Sequence, residues 1–161
     1  TNKPMDRDGA LARRGSIDHQ ALSNLLNFSY LHRPPPKSLD RNEFDTSAVE
    51  LLPVEDGAAT LSAFTVACVG EALEHFPVSP MRWIVCGGGR KNPVIMSGLR
   101  CTLGVPVDPI EALGWDGDAI EAQAFAYLAA RRLLNLPTSF PETTGVDKPT
   151  CGGVLHLRTV F

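Results

Sequence analysis

The sequence predicts an α/β fold, and three observations lead to it. A β-branched apolar run at 83–86 is followed by three glycines and then by a helical pattern at 93–103. A second apolar run at 105–107 completes a β-α-β unit, which is normally a right-handed parallel crossover. Two longer helical patterns, at 53–76 and 118–134, supply further helices that can pack on these strands.

The first half of the chain predicts two helices separated by an extended segment. The helix at 18–27 opens with Asp18, a good capping residue. Its inward side chains are expected to be Leu22, Leu25 and Leu26. The proline-rich segment 32–38 (HRPPPKS) cannot be helical and is expected to be an extended connector.

The pattern at 53–76 is the longest helix signal, and its apolar residues fall on two sides. One stripe consists of Leu61, Phe64, Cys68, Ala72 and His75, and another side carries Val66, Val69 and Leu73. A helix this apolar around its circumference is packed on more than one face. His75 at its end is expected to interact with the helix dipole.

The glycine triplet Gly87-Gly88-Gly89 is the most informative feature of the sequence. Glycine loses more backbone freedom on folding than any other residue, so an unneeded triplet is costly. Asn92 is a good N-cap and Pro93 fits the first helical position, so a helix begins directly after the turn. Backbone N–H groups and the helix dipole at such a place favour a phosphate or a nucleotide.

Neither common phosphate motif matches this turn. A P-loop requires G-x-x-x-x-G-K-[ST], and Lys91 is followed by Asn92. A dinucleotide fingerprint requires a third glycine, and the position after Gly89-Arg90-Lys91 is again Asn92. A tight strand-to-helix turn with no ligand is the alternative, although such turns usually need only one glycine. Arg90 and Lys91 are ordinarily solvated charges, with at most a weak role toward a phosphate.

The last third of the chain predicts one helix, one long loop and one strand. Asp118 is the expected N-cap of the helix 118–134, whose many alanines allow another backbone to approach closely. The segment 137–153 is rich in turn residues, and 154–161 (VLHLRTVF) has the pattern of a strand. Three strand signals are few for an α/β chain of this size.

Composition limits the class of protein. The 161 residues are enough for one domain, and the formal net charge of −3 disfavours a general nucleic-acid binder. We find neither an apolar run of membrane-spanning length nor a secretory signal at the start. The four cysteines and four histidines are scattered and predict no metal cluster. Reduced thiols in a cytoplasmic protein are the simplest interpretation.

Five stretches together resemble the anhydro-N-acetylmuramic acid kinases, members of the sugar kinase, Hsp70 and actin superfamily. They are MDRDGALARRG at 5–15, PPKS at 35–38, VCGGGRKNPVIMSGL at 85–99, DAIEAQAFAYLA at 118–129 and SFPETTGV at 139–146. The resemblance covers nearly the whole chain in the right order. One departure follows PPKS, where the family continues with Thr-Gly and this chain has Leu39-Asp40.

The resemblance implies a fold and a nucleotide site. The expected fold is part of the C-terminal lobe of an actin-like (ribonuclease H-like) ATPase, with a short mixed sheet and packed helices. The whole chain, 1–161, would be a fragment of that lobe in a two-lobe sugar kinase. The strand-glycine-helix element would be the adenosine motif, in which Gly87, Gly88, Gly89 and Asn92 contact the nucleotide.

The resemblance also implies a reaction for the parent enzyme. With ATP and Mg²⁺, such a kinase phosphorylates the 6-hydroxyl of an anhydro amino sugar while water opens the 1,6-anhydro bridge, in cytoplasmic peptidoglycan recycling. The two phosphate-binding segments and the aspartate base lie upstream of the part that this chain resembles. No catalytic residue is therefore expected here, Mg²⁺ would be bound mainly elsewhere, and the chain alone is expected to be inactive.

Two further candidate sites lie in the last third. Glu121 heads an apolar stripe with Phe125 and Leu128, which suits either an acid favoured by the helix dipole or one at the edge of the core, where its carboxylate is expected to be partly desolvated. In the resembling family this glutamate faces the sugar, so Glu121 is the expected substrate contact. Thr143, Thr144 and Gly145 form either a plain turn or, as the family implies, a loop near the cleft.

Two classes of function follow from these expectations. The first is the nucleotide-binding part of a sugar kinase, with partners limited to ATP and the sugar and with no nucleic acid or membrane. The second is a non-catalytic fragment that binds little nucleotide and serves in dimer contacts. An incomplete sheet leaves an open edge, and open edges invite association. We therefore expect a homodimer, or an edge blocked by the N-terminal segment.

Overall fold

The structure is a computed structural model that describes residues 5–156. Its elements combine helices with a small sheet, in agreement with the α/β expectation. In chain order they are α1 (His19–Leu26), α2 (Val54–Glu71), β1 (Trp83–Val85), α3 (Pro93–Leu103), β2 (Val107–Pro109), α4 (Ile120–Leu133) and α5 (Pro141–Thr144). Short 3-10 turns connect many of these elements.

Strands β1 and β2 pair in parallel, with Trp83 opposite Val107 and Val85 opposite Pro109. Helix α3 is the crossover between them, so the predicted β-α-β unit is confirmed. The second strand lies two residues later than the expected 105–107. Pro106 has no N–H to donate, and only its carbonyl joins the sheet, accepting the Trp83 N–H at 2.9 Å.

Helix α2 lies between two hydrophobic clusters, as its two apolar sides predict. One cluster joins Val66 to the inner face of α3 and to β2 through Met96, Leu99, Leu103 and Val107. The other joins Phe64 to Leu25 of α1 and to Leu31. Burial of apolar surface on both sides makes α2 the centre of the packing.

Helices α1 and α3 begin at their predicted caps. The Asp18 side chain accepts the Ala21 N–H at 2.8 Å at the start of α1. The Asn92 side chain accepts the Val94 N–H at 2.9 Å at the start of α3. At the other end of α3, Gly104 has a φ of 64°, the left-handed conformation of a C-terminal cap.

The proline-rich segment is fastened by Lys37. Its ammonium donates to the carbonyl oxygens of Tyr30 at 3.1 Å and Leu31 at 2.7 Å. His75 lies at the end of the turn that follows α2, with Nε2 3.3 Å from Lys37 Nζ. Lys37 is therefore a structural link between the segment before the prolines and the end of α2.

The start of α4 differs from the prediction. The helix begins at Ile120 after Ala119, and Asp118 is not its N-cap. The Asp118 carboxylate instead pairs with Arg90 and Lys91. Charge-assisted hydrogen bonds to two cations are stronger than one bond to a backbone N–H, which accounts for the difference.

The sheet is smaller than expected. Residues 5–156 contain the two-stranded parallel sheet and one isolated antiparallel bridge between Ser139 and Thr150, in place of a short mixed sheet. The strand expected at 154–161 is absent from 154–156, where Val154 is exposed, and 157–161 lie outside the described residues. Among the described helices, none has the length and apolar character needed to cross a membrane.

Candidate functional site

The loops after β1 and β2 lie side by side at one edge of the sheet, because parallel strands end at the same edge. Open α/β sheets bind ligands at this edge. An open groove of about 1070 Å³ lies there. Its walls come from the segment 5–8, the glycine turn and following residues 86–92, Ile95, and the residues 117, 118, 120 and 121.

The glycine turn exposes its backbone to this groove. Gly87 has a φ of 73°, a conformation that strongly favours glycine. A Cβ added to Gly87 or to Gly88 would have no protein atom within 4 Å, so both would project into open space. At Gly87 and Gly88 no side chain keeps a ligand from the main chain. The protein's own packing does not require glycine at position 88.

The segment 5–9 packs tightly on the start of α3. A Cβ on Gly9 would lie 2.6 Å from Asn92 Oδ1 and 2.7 Å from Val94 Cγ2, and Gly9 has a φ of 63°. Asn92 Oδ1 is already the helix cap. Asn92 therefore shapes the groove wall as a cap, and its contact with a nucleotide stays a prediction.

Arg90 is buried, contrary to the expectation of a solvated charge. Only 4% of its side chain is exposed. Its three guanidinium nitrogens donate to three acceptors: Nε to Glu111 at 2.8 Å, Nη1 to the Gly87 carbonyl at 2.9 Å, and Nη2 to Asp118 at 2.8 Å. The hydrogen bonds that Arg90 donates to Asp118 and to Glu111 raise the pKa of Arg90, so it stays charged.

Asp118 also binds Lys91, whose Nζ lies 2.6 Å from Oδ2. Hydrogen bonds from Lys91 and then Arg90 lower the pKa of Asp118 to about 2, and the Arg90 hydrogen bond lowers that of Glu111. Both carboxylates are therefore ionised at neutral pH. The two cations beside the glycine turn are consequently engaged by protein acids.

Glu121 lies in the same groove as the glycine turn, so the structure brings these two predicted sites together. The expected desolvation of its carboxylate is wrong. Glu121 is exposed, and Phe125 on the same stripe is 65% exposed, because no described element packs on this face of α4. The role of Glu121 in substrate contact stays a prediction.

Thr143, Thr144 and Gly145 lie elsewhere. Both threonine hydroxyls donate to the Phe140 carbonyl, within α5 and its start. Gly145 ends this helix with a φ of 72° and borders a different hollow, formed with 146–148 and Thr150. The structure does not bring this loop to the groove, and its part in a cleft stays a prediction.

Three features of the groove and of the contacts beside it were missed from sequence. They are the 5–8 wall, the acceptor Glu111 and the buried position of Arg90. The buried position of Arg90 was indicated by the run Trp115-Asp116-Gly117-Asp118. Two acids on either side of a glycine in the loop after a strand are suited to pair with a cation on the neighbouring loop.

The described residues do not fit a magnesium site of their own. No group of three or more His, Cys, Asp or Glu within 5–156 is arranged to hold a metal ion. In the groove, both oxygens of Asp6 accept backbone N–H groups, of Leu11 at 2.8 Å and of Ala12 at 3.0 Å. Asp118 is committed to its two cations.

Fold and groove together define a class: an α/β protein with a glycine-lined, ligand-sized groove at the carboxyl edge of a parallel strand pair. Comparison with known families specifies it further. The chain matches the family model "Anhydro-N-acetylmuramic acid kinase" over residues 1–158. The chain belongs to the anhydro-N-acetylmuramic acid kinase family.

Curated relatives with this description are similar over almost all of the chain. The kinase of Rhodospirillum rubrum is 56% identical over 149 residues, which is 92% of this chain and 40% of the relative. That of Mesorhizobium japonicum is 51% identical over 94% of this chain and 41% of the relative. That of Paramagnetospirillum magneticum is 49% identical over 98% and 45%. The chain therefore spans less than half the length of these relatives.

Proposed function

We propose that these residues are the nucleotide-binding part of an ATP-dependent kinase for 1,6-anhydro-N-acetylmuramic acid. In the whole enzyme, the 6-hydroxyl of the sugar is phosphorylated and water opens the anhydro ring, in cytoplasmic peptidoglycan recycling. Family membership supports the kinase class. The observation that carries the assignment of this part is the bare glycine backbone of Gly87 and Gly88 facing the groove.

The charges of the groove favour the adenosine end of ATP over its phosphates. Four carboxylates, Asp6, Asp8, Asp118 and Glu121, line it with three cations, Arg7, Arg90 and Lys91. Arg90 and Lys91 are already paired with protein acids. A triphosphate is strongly negative and needs an excess of positive charge around it, whereas adenine and ribose are uncharged and do not.

The remaining parts of the active site are assigned to other segments of the enzyme. On this proposal 1–161 is a fragment of the C-terminal lobe of an actin-like, two-lobe kinase. The phosphate-binding segments, the aspartate base and the Mg²⁺ ligands belong to segments that this chain does not resemble. Mg²⁺ would help neutralise charge during phosphoryl transfer. Glu121, at the groove, is proposed to contact the sugar.

A second function is favoured by helix α4. It contributes no buried side chain among the described residues, and Phe125, Tyr127 and Leu133 are each more than half exposed. Exposed apolar groups on one helix suit an interface. The alternative is thus a fragment that binds little nucleotide and serves in dimer contacts; a homodimer fits either function.

One comparison tests the kinase assignment and the fragment assignment together. A coupled assay with ATP and anhydro sugar is run on residues 1–161 and on the full-length chain that contains them. The kinase proposal predicts sugar-dependent ADP release from the full-length chain and none from residues 1–161. Turnover by the pure fragment contradicts the fragment assignment, and absence of turnover by the full-length chain contradicts the kinase assignment.

Adenosine provides the complementary binding test, on the full-length chain. The charges of the groove predict that adenosine competes with a fluorescent ATP analogue. Tripolyphosphate, in contrast, should not protect the glycine turn from hydrogen exchange. Protection of 87–92 from hydrogen exchange by adenosine is the specific readout. Protection by tripolyphosphate and not by adenosine would assign this turn to the phosphates.

A further inference from the structure

Arg90 joins the glycine turn to two positions in the loop after β2. Through Nη1 it holds the carbonyl of Gly87, the first residue of the glycine turn. Through Nε it holds Glu111 in the loop after β2, and through Nη2 it holds Asp118, just before α4. The loops after both parallel strands are thereby fastened to one side chain.

Arginine is specifically suited to this position. Its planar guanidinium presents donors in fixed directions, and each of the three nitrogens here has its own acceptor. A lysine ammonium is a single point and cannot reach acceptors that lie around the three nitrogens of a fork. Replacement of Arg90 by lysine therefore keeps the charge and removes most of the connection.

The loop after β2 is shaped around the guanidinium. Gly117 is buried, and a Cβ there would overlap the Arg90 guanidinium and lie 2.6 Å from Glu111 Oε1. The backbone of the loop thus lies directly on Arg90. Lys91 strengthens the same connection from outside by binding both oxygens of Asp118, at 2.7 Å and 2.6 Å.

We propose that Arg90 is a positioning residue: it fixes the glycine turn relative to the Glu111–Asp118 loop, and so sets the groove for the nucleotide without contacting it. The inference rests on the proposed nucleotide site. The Gly87 carbonyl is held by the buried side chain of Arg90, so the bare backbone of Gly87 and Gly88 keeps one orientation toward the groove.

The test uses the full-length chain with Arg90→Lys and a matched control, Arg82→Lys. Arg82 forms an ion pair with Asp108 at 2.8 Å, but its side chain is 46% exposed and it does not line the groove. Misplacement of a binding group by about 1 Å costs on the order of a hundredfold. We expect Arg90→Lys to raise the Kd for ATP about ten- to a hundredfold, with the KM for sugar changed by less than about threefold. Arg82→Lys should leave the Kd for ATP within about twofold.

Hydrogen exchange supplies the readout that general destabilisation would not produce. Arg90→Lys should increase exchange at both 87–92 and 111–118 while the α2–α3 core stays protected. An unchanged Kd for ATP, or increased exchange spread evenly over the whole chain, overturns the inference. Failure of the proposed function is distinguishable, because then the unsubstituted full-length chain itself does not bind ATP.

Gly117→Ala is the second variant, and it disturbs Arg90 without altering its charge. Its added methyl group requires the guanidinium to move, so it should raise the Kd for ATP in the same direction as Arg90→Lys. Combined with Arg90→Lys, it should add little, because both changes break the same connection. Full additivity of the two effects on ATP binding contradicts the inference.

Discussion

Gly98 of α3 lies directly against Val66 of α2: a Cβ at Gly98 would stand 2.8 Å from Val66 Cγ2. The two helices are in contact here because no side chain separates them. Val66 belongs to the cluster that joins α2 to β2, so this crossing supports the strand pair beneath the groove.

Substitution at this crossing should destabilise the fold. Gly98→Ala forces Val66 or the helices to shift, and overpacking of this kind costs about 1–3 kcal/mol. Gly88→Ala is the matched control, since its Cβ meets no atom within 4 Å. Urea denaturation should show a loss of free energy of unfolding for Gly98→Ala only. Equal stability of the two variants would mean that the crossing is looser than described.

The ion pairs of Asp118 predict a dependence of stability on acid. Its pKa is lowered in the folded chain from 3.8 to about 2, by Lys91 and then Arg90. The stabilisation is thus fully present above the ordinary pKa and is lost as the pH falls through the folded pKa. Asp118→Asn should be less stable than the unsubstituted chain by a constant amount between pH 6 and 8. The difference in free energy of unfolding between the two proteins should narrow below about pH 4. A difference that changes between pH 6 and 8 would contradict the assignment of the lowered pKa to Asp118.

Glu121→Gln tests the proposed sugar contact. The substitution keeps the shape and removes the charge, so kcat/KM for the anhydro sugar should fall about ten- to a thousandfold in the full-length chain, the span for one charged transition-state contact. Glu121 is exposed, so the melting temperature should be unchanged. Glu142→Gln, on α5 and outside the groove, is the control. Wild-type kinetics for Glu121→Gln would remove Glu121 from the site.

The exposed face of α4 predicts association of residues 1–161 through this helix. Phe125→Asp should convert a dimer to a monomer in light scattering without changing the circular dichroism spectrum, because Phe125 is 65% exposed. Leu51→Asp, at a side chain that is 99% exposed elsewhere, should have no effect. If the unsubstituted residues 1–161 are a monomer, there is no such interface. If the dimer survives Phe125→Asp, the interface lies on another surface.

Local features of the fold were predictable because local chemistry determines them. Asp18, Asn92 and Gly104 cap helices, and apolar residues on two sides of α2 give two clusters. Each of these depends on neighbours in sequence, or on one periodic pattern. The position of the glycine turn followed from the same reasoning.

Features that depend on distant charges were not predictable in this way. Asp118 had the sequence of a helix cap, and only the folded loops bring it to Arg90, 28 residues away. Glu121 was expected to be desolvated because Phe125 and Leu128 follow at helical spacing. Periodicity shows which side chains share a face, but not whether another element covers that face.

The groove contains one part of each kind. The glycine turn could be predicted to face a ligand, because three glycines between a strand and a helix start are rarely needed for the turn alone. Its outer wall at 5–8 could not, since contact between Gly9 and the start of α3 joins residues more than eighty positions apart. Family resemblance identified the segment without indicating this contact.

The most direct test of the account is ATP binding by Gly88→Val in the full-length chain. The structure provides room for the side chain, so the melting temperature should be unchanged while the valine fills the space that faces the nucleotide. Isothermal titration should then show a large loss of affinity for ATP, with the KM for sugar much less affected. ATP affinity equal to that of the unsubstituted chain, in a variant that folds normally, would contradict the proposal that the glycine turn binds the nucleotide.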